Sequence, residues 1–451
     1  MMSLFRMLQV GLGLMLLILA QSPLAEAQVA LPGVKLPSLT GNGLPLNVDR
    51  TLSGLSGDLD PHRLEDLRRL HILDLIRKNP RQIEADPNGA PIVRGEVVAF
   101  SPTDAALEKA RGAGFVLVRE RVLEGLDARL VVLKVPDGMA TRRALTQLRG
   151  LDPGGGYDFN HIYTDGGEVG VANAVPAQGG ETKVPAAGAT SKTKIGLIDG
   201  GVDVSHDVFG DTVIHQHGCG DEPVPEAHGT AVASLMIGRS PKFHGAAPGS
   251  ELFAADVYCG VPTGGSVDAV ADAFSWMARE HVPVINVSLV GPANVMLENV
   301  VRLVVARGHV IVAAVGNDGP AAPPLYPASY PDVVGVTAVD ARRRVLLEAC
   351  RGRQVKLSAP GADMSAASPA QSFALVRGTS FAAPIVAGLL AEEMHAPDVQ
   401  AAQRAVADLE SRAIDLGAPG LDPVYGYGLV GGDLHPEVAL ARGSGAHEAR
   451  N

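Results

Sequence analysis

The sequence is poor in several features that mark particular classes of protein. Its 451 residues include only three cysteines, too few for a disulfide-rich scaffold. Basic residues are outnumbered, and the net charge of −11 argues against nucleic-acid binding, which relies on basic patches. No internal repeat is evident. What is present is a chain that is 46% hydrophobic and 19% charged, which is the composition of a globular protein with room for two or three domains.

The apolar run near the start of the chain is also short. Residues 10–20 fall below the ~20 residues that a membrane-spanning helix needs. Arg6 precedes this run, and Ala25-Glu26-Ala27 follows it in the pattern of a cleavage site. We therefore predict a signal peptide over residues 1–27 and no membrane span in the mature protein, with an uncleaved anchor as the disfavoured alternative. Export implies a periplasmic or secreted protein in an oxidising compartment, where a disulfide can form.

Residues 28–90 are predicted to be a linker followed by a helical segment. The linker, up to about residue 60, is rich in Pro, Gly, Leu and Ser and has no steady period. The segment PHRLEDLRRLHILDLIRKNP then predicts a helix between two prolines, and its apolar residues fall near one stripe: Leu64, Leu67, Leu70, Leu73 and Ile76.

Residues 91–163 predict a small α+β domain. The order of the segments is strand, helix, strand, strand, helix, strand: PIVRGEVVAF, TDAALEKARGAG, FVLVRERVLEG, DARLVVLKVP, ATRRALTQLRGL and YDFNHIY. This βαββαβ order is typical of a ferredoxin-like fold. By itself the fold says little about function, because it serves many purposes.

A second, larger domain follows a flexible linker that we place at residues 164–192, rich in Gly, Ala and Pro. From residue 193 to about 440, continuous apolar runs alternate with helical ones. This pattern predicts an α/β domain with a mostly parallel sheet flanked by helices, because strands buried on both faces have no polar side. Residues 441–451 are predicted to be a disordered tail.

Four polar residues of this domain each lie next to the predicted end of a strand or the start of a helix. Asp199 ends KIGLIDGG, His228 begins the helix EAHGTAVASLMIG, Asn317 follows VIVAAVG, and Ser380 begins an alanine-rich helix in VRGTSFAAPIVAG. Acyl transfer needs these groups: a serine nucleophile, an imidazole that takes its proton, a carboxylate that orients the imidazole, and a donor for the oxyanion. Taken singly, Ser380 could be a helix N-cap, Asp199 a turn former and Asn317 part of a turn.

Together these segments resemble the subtilisin-like serine proteases, or subtilases. IGLIDGGVD, HGTAVA, VAAVGNDGP and GTSFAAPIVAG match the four signatures of that family in order, and the resemblance runs almost continuously from about Lys194 to Val430. It implies that Asp199, His228 and Ser380 form a catalytic triad. It also implies that Asn317, with the Ser380 amide, forms an oxyanion hole, and that no cofactor is needed.

The resemblance further implies that a polypeptide substrate binds as an extended strand between two exposed edges. The residues expected at these edges and at the floor of the main specificity pocket are Gly260, Gly264, Gly265, Ser288, Leu289, Val290, Gly291 and Leu325. The family usually has a small residue at the position of Leu325. A leucine there should shorten the pocket, so we expect a preference for small or medium side chains before the scissile bond.

By the same resemblance, the βαββαβ domain is a propeptide that assists folding and then inhibits the enzyme through its last strand. Self-cleavage is expected at or shortly after Tyr163. A tyrosine at the cut fits poorly with a shortened pocket, so either the cut lies a few residues downstream or Leu325 turns aside.

The sequence departs from the family pattern at the residue after Asp199, where Gly200 replaces a serine or threonine; we expect this to tune the site without abolishing it. The family's tight calcium site lacks its oxygen ligands here, with Val208 at one of their positions, so no metal is predicted.

The cysteines and histidines around residue 219 allow two interpretations. His215, His217, Cys219 and His228 could form a zinc cluster, but their spacing fits no usual zinc pattern. Cys219 and Cys259 both flank the expected cleft, so a disulfide between them is expected, although the sequence does not determine the pairing. Cys350 would then be free.

The sequence therefore predicts an exported serine endopeptidase that is made as a self-processed zymogen, with its own propeptide as intramolecular inhibitor. The alternative is a subtilase-like binding or chaperone protein that is catalytically silent. A pure binder has no need of all four catalytic groups, which argues against this alternative.

Overall fold

The computed structural model describes three stretches of the chain: residues 61–170, 193–240 and 243–434. The predicted signal peptide, the Pro-rich part of the first linker and the predicted tail lie outside the described residues, as do residues 171–192. In the described stretches, no helix is long and apolar enough to cross a membrane.

The predicted N-terminal helix is present as α1 (Pro61–Lys78). Of the described side chains of its apolar stripe, Leu70 is 60% exposed and Leu73 51% exposed, whereas Ile76 is partly buried. Arg68, Ile72 and Leu75, one helical turn apart from each other, are also partly covered.

The α+β domain forms one antiparallel sheet with two helices. Its elements are β1 (Ile83–Ala85), β2 (Pro91–Phe100), α2 (Asp104–Gly112), β3 (Val116–Leu123), β4 (Ala128–Lys134), α3 (Thr141–Leu151) and β5 (Gly156–His161). The strand order is β1-β2-β4-β3, with β5 also paired to β2. Successive side chains of a strand point to opposite faces of the sheet, and apolar residues occur at both kinds of position, so the sheet has two apolar faces. Leu107 and Leu145 of the two helices cover one face, and Val98 and Val132 on the other pack into the larger domain.

The larger domain is built on a sheet of seven strands. They are β8 (Lys194–Asp199), β9 (Ile214–His217), β12 (Glu251–Asp256), β13 (Val284–Val287), β15 (Val310–Ala314), β16 (Val334–Val339) and β17 (Val355–Pro360). All the pairings are parallel, in the order β17-β16-β15-β13-β8-β12-β9. The predicted fold class, α/β with a mostly parallel sheet, is confirmed.

Among the residues of this domain that the structure describes there are five α-helices: α4 (Ala227–Ile237), α5 (Val267–Arg279), α6 (Val295–Ala306), α7 (Thr379–Ala391) and α8 (Val399–Arg412). One apolar cluster joins α4 and α7 to a face of the sheet, and a second joins α5 and α6 to the opposite face. The strands read as continuous apolar runs because both faces are buried in this way.

Short strands complete the structure. They are β6 (Thr164–Asp165), β7 (Glu168–Val169), β10 (Arg239–Ser240), β11 (Phe243–His244), β14 (Leu289–Val290), β18 (Met364–Ser368) and β19 (Ser372–Arg377). β6 and β7 fall in the region predicted to be a flexible linker. That linker was predicted to start too early, because residues 164–170 pair with strands of the larger domain.

Candidate active site

The carboxylate and the imidazole expected to act together are in contact. Asp199 is the last residue of β8, and His228 is the second residue of α4. His228 Nδ1 lies 2.8 Å from Asp199 Oδ1 and 3.0 Å from Oδ2, and both side chains are buried. The contact fixes the ring with Nε2 turned away from Asp199, and there Nε2 has no hydrogen-bond partner among the described residues.

Ser380 is the second residue of α7 and is fully buried. Its Oγ donates to the carbonyl oxygen of Ser288 at 3.3 Å, and Ser288 Oγ donates to the Ser380 carbonyl at 3.0 Å. The hydroxyl is therefore held beside β14 and not on the imidazole.

The side-chain amide of Asn317 has a fixed orientation. Its Oδ1 accepts from the backbone N–H of Thr379 at 3.0 Å, which leaves Nδ2 buried and without a partner among the described residues. Gly378, with φ of +139°, is needed here because a methyl group on it would lie 2.9 Å from Asn317 Nδ2. An unpartnered buried donor next to a serine is what an oxyanion hole requires.

The protein's own chain passes between the two predicted substrate-binding edges. On one side β6 pairs antiparallel with β14, with Leu289 opposite Asp165 and Val290 opposite Thr164. On the other side the N–H of Tyr163 donates to the carbonyl of Gly265 at 2.8 Å. Residues 163–165 thus form the middle strand between two edges, the arrangement expected for a bound substrate.

The same chain continues past Ser380 without leaving the cleft. β7 pairs antiparallel with β19, with Glu168 opposite Arg377 and Val169 opposite Val376. The N–H of Gly170 then donates to the carbonyl of Leu375 at 2.8 Å. The segment from residue 163 to 170 is therefore held by backbone pairing on both sides of the catalytic groups.

Gly166 and Gly167 lie where those groups meet. A methyl group on Gly166 would lie 3.5 Å from both Ser380 Oγ and Asn317 Nδ2. A methyl group on Gly167 would lie 3.1 Å from His228 Nε2. The two glycines thus lie beside the side chains of Ser380, Asn317 and His228.

Tyr163, the fourth residue before that bond, fills a closed pocket. Its side chain is 0% exposed, and its Oη donates to the Pro292 carbonyl at 2.7 Å. The ring fits because position 291 is a glycine: a methyl group on Gly291 would lie only 2.5 Å from Tyr163 Cδ1. Tyr163 therefore acts as an apolar anchor with a satisfied hydroxyl.

The predicted substrate-binding residues are not equally close to this segment. Residues 163–165 are contacted by four of them, as described above: Gly265, Leu289, Val290 and Gly291. Ser288 contacts Ser380. Gly264 and Gly260 instead shape the preceding turn, where added methyl groups would meet Tyr258 and Val224.

Leu325 is 7% exposed and packs over Gly316, the residue before Asn317. Its Cδ1 lies within 2.5 Å of where a methyl group on Gly316 would be. The expected effect of Leu325 on the specificity pocket stays a prediction.

The electrostatics of the site favour a charged imidazole. Burial alone would lower the pKa of His228. The Asp199 carboxylate overrides this by its charge and hydrogen bond, and with Asp165 and Glu226 it raises the pKa of His228 to about 9.

Glu226, two residues before His228 in EAHGT, is a site residue that sequence reasoning missed. A methyl group on Gly200 would lie 2.5 Å from Glu226 Oε2, so the glutamate takes the space of the missing serine or threonine side chain. Burial, with the carboxylates of Asp256, Asp199 and Asp165, raises the pKa of Glu226 to about 7.

A disulfide joins Cys219 to Cys259 beside the cleft. Cys350 is a free thiol and is buried. Burial raises the pKa of that thiol to about 12, so it is neither charged nor exposed.

The residues of the alternative zinc cluster have separate partners. His215 Nε2 lies 2.6 Å from Glu251, His217 Nε2 lies 3.1 Å from Asp272, and Cys219 is in the disulfide. Val208, at the position of the calcium-ligand substitution, is 1% exposed within an apolar cluster.

Comparison with known proteins agrees with this geometry. A family model described as the subtilase family matches residues 190–428. Subtilisin from Bacillus pumilus is 31% identical over 283 residues, which cover 57% of this chain and 98% of that protein. Subtilisin DY from Bacillus licheniformis is 30% identical over 250 residues, covering 53% of this chain and 89% of that protein. The chain belongs to the subtilase family, whose members are serine proteases.

Among solved structures, fervidolysin from Fervidobacterium pennivorans, a keratinolytic enzyme related to subtilisin, is similar in fold. The TM-score is 0.62 at 20% sequence identity, over 76% of this chain and 61% of that chain. This chain thus matches less than two thirds of fervidolysin, and the likeness concerns the fold alone.

Proposed function

We propose that this chain is an exported subtilisin-like serine endopeptidase that is made as a zymogen and processes itself between Gly166 and Gly167. The observation that carries the proposal is the passage of residues 163–170 through the cleft, with this bond beside Ser380, Asn317 and His228. The proposal moves the cut three residues beyond Tyr163. A cut there is also compatible with a pocket shortened by Leu325, because the glycine before the cut has no side chain that must fit into that pocket.

In this proposal neutral His228 Nε2 takes the proton of Ser380 Oγ as the oxygen attacks the Gly166 carbonyl carbon. Asp199 keeps the ring oriented and stabilises the imidazolium. Asn317 Nδ2 and the Ser380 amide donate to the oxyanion. The imidazolium then gives its proton to the Gly167 nitrogen, and the Gly166–Gly167 bond breaks. Water, deprotonated by the same imidazole, releases the acyl group from Ser380.

After the cut the βαββαβ domain is expected to remain as an inhibitor. Arg119 of β3 forms ion pairs with Asp268 of α5 at 3.1 Å and with Glu96 of β2 at 2.7 Å. Asn160 of β5 donates to both of these carboxylates. These contacts do not depend on the Gly166–Gly167 bond, so cleavage alone would leave them intact.

A fluorophosphonate probe tests the proposed activity, since it labels only a serine activated by a base. We expect the exported chain to be labelled at full rate once the Gly166–Gly167 bond is cut and the residues before the cut have dissociated, and the Ser380→Ala chain to remain unlabelled. Absence of labelling in a sample that is cut and freed of the residues before the cut would mean that the groups do not assemble. The alternative, a silent binding protein, would then be favoured.

A further inference from the structure

Helix α1 contributes a side chain to the cleft that the proposed chemistry does not use. Arg68 Nε lies 3.2 Å from Asp318 Oδ2, and Arg68 Nη2 donates to the carbonyl oxygen of Val290 at 3.2 Å. The two partners belong to different segments of the larger domain, and each borders a catalytic feature. Asp318 follows the oxyanion donor Asn317, and Val290 is in the strand that pairs with residue 164.

These two segments flank the space into which a side chain at position 166 would point. A methyl group on Gly166 would lie 3.5 Å from Asn317 Nδ2 and 3.6 Å from Val290 Cγ2. A longer side chain there would extend between the two segments that Arg68 bridges. Glycine at position 166 has no side chain and leaves that space empty. The guanidinium of Arg68 has several N–H donors, so it can bind Asp318 on one side of the space and Val290 on the other.

The ion pair is well shielded from solvent. The exposed fractions are 16% for the Arg68 side chain and 12% for the Asp318 side chain. Screening by water is weaker for such a pair than for an exposed one, and breaking the pair would leave a shielded carboxylate without this partner.

Little else in the described part of α1 holds this helix to the larger domain. Leu70 and Leu73 are mostly exposed, and Arg77 and Lys78 both bind Asp74 within the helix itself. Of the side chains of α1 that the structure describes, only Arg68 hydrogen-bonds to the larger domain.

We propose that α1 is a second inhibitory element, which closes the main specificity pocket through Arg68 independently of the strand that carries the scissile bond. The inference rests on the proposed protease function. Cutting Gly166–Gly167 leaves Arg68 bridging Asp318 and Val290, so a peptide whose side chain before the scissile bond is longer than a methyl group cannot enter until α1 leaves. Release of α1 is then a separate step between processing and activity.

The test compares full-length Arg68→Ala with Arg69→Ala, a matched control because Arg69 is the exposed neighbour on the same helix. Two rates are measured: cleavage at Gly166–Gly167 by mass spectrometry, and labelling of Ser380 by a fluorophosphonate after the cut. We expect Arg68→Ala to be cut at the wild-type rate but labelled about tenfold faster or more, because the ion pair with Asp318 and the hydrogen bond to Val290 are both lost. Arg68→Lys, which loses the fork geometry, should fall in between. Equal labelling rates in Arg68→Ala and Arg69→Ala would overturn the proposal.

A second measurement does not depend on catalysis. In a Ser380→Ala background, amide hydrogen exchange in α1 should be faster with Arg68→Ala than with Arg69→Ala. Equal exchange would overturn the role of Arg68. A further outcome is faster exchange in Arg68→Ala while no chain that carries Ser380 is cleaved or labelled. That result would mean that the Arg68 contact exists and that the proposed protease function is wrong.

Discussion

Gly166 and Gly167 are neighbours in the chain, yet the space around them differs. A methyl group on Gly166 meets nothing closer than 3.5 Å, which is ordinary contact. A methyl group on Gly167 would lie 2.5 Å from Phe381 Cε2 and 3.1 Å from His228 Nε2, which is too close. The two positions therefore provide a matched pair of substitutions.

We expect Gly166→Ala to process at close to the wild-type rate and Gly167→Ala to process about tenfold more slowly or worse. The reason is that relieving the overlap at 167 moves the scissile bond or the imidazole, and small displacements at a reacting centre are costly. The rate of appearance of the fragment 167–451 measures the effect. A Gly167→Ala chain that processes as fast as Gly166→Ala would contradict the assignment of the bond.

The charge on Asp165 links processing to pH. His228 must be neutral to accept the Ser380 proton, so processing should rise as pH increases through its pKa of about 9. Asp165 favours the charged imidazole, so Asp165→Asn lowers the pKa of His228. The midpoint of the pH–rate profile should move to lower pH, and processing at neutral pH should become faster.

The control for this prediction is Asp165→Glu, which keeps the negative charge and should leave the midpoint near that of the wild type. The measurement is the first-order rate of cleavage from pH 6 to 10, values chosen to bracket the pKa of about 9. A midpoint that is unchanged in Asp165→Asn, or that moves upward, would show that Asp165 does not act on His228.

At the scale of single residues, the sequence predicted the side chains that belong to motifs. Asp199, His228 and Ser380 lie at the end or start of an element, and Asn317 lies in the loop after β15; the parallel sheet brings these places together. Glu226 and Arg68 belong to no such motif. Glu226 fills space beside Gly200, and Arg68 contacts Asp318 and Val290 from a helix more than 200 residues earlier in the chain, so neither contact is visible in the sequence.

At the scale of elements, the strands of the parallel sheet were predicted well because both faces are buried and each is a continuous apolar run. Helix α1 was predicted as a helix, but its Leu70–Leu73 side is exposed. A leucine stripe indicates which side could be buried, and only the packing decides whether it is. The hairpin of β18 and β19 and the helix α8 were not predicted.

Strands β6 and β7 show why the linker was misplaced. Their residues, TDGGEV, have the composition of a flexible connection, and nothing local favours a strand. They are extended because two edges of the larger domain supply hydrogen-bond partners on either side of the catalytic groups. Non-local pairing of this kind overrides local preference.

At the scale of the whole molecule, the α+β domain, helix α1 and the cleft form a single inhibited arrangement in our proposal. The strand 163–170 fills the substrate path, Tyr163 anchors it, and Arg68 closes the space beside it. Activity would then require both cleavage of the chain and departure of the segments before the cut.

The most direct test of this account is the N-terminal sequence of the exported protein, compared with that of its Ser380→Ala variant. The account predicts a new N-terminus at Gly167 in the active protein and no such cut in the variant. An active protein that still begins upstream of Gly167, for example at Gln28, or a cut at Gly167 that persists in the pure Ser380→Ala variant, would contradict it.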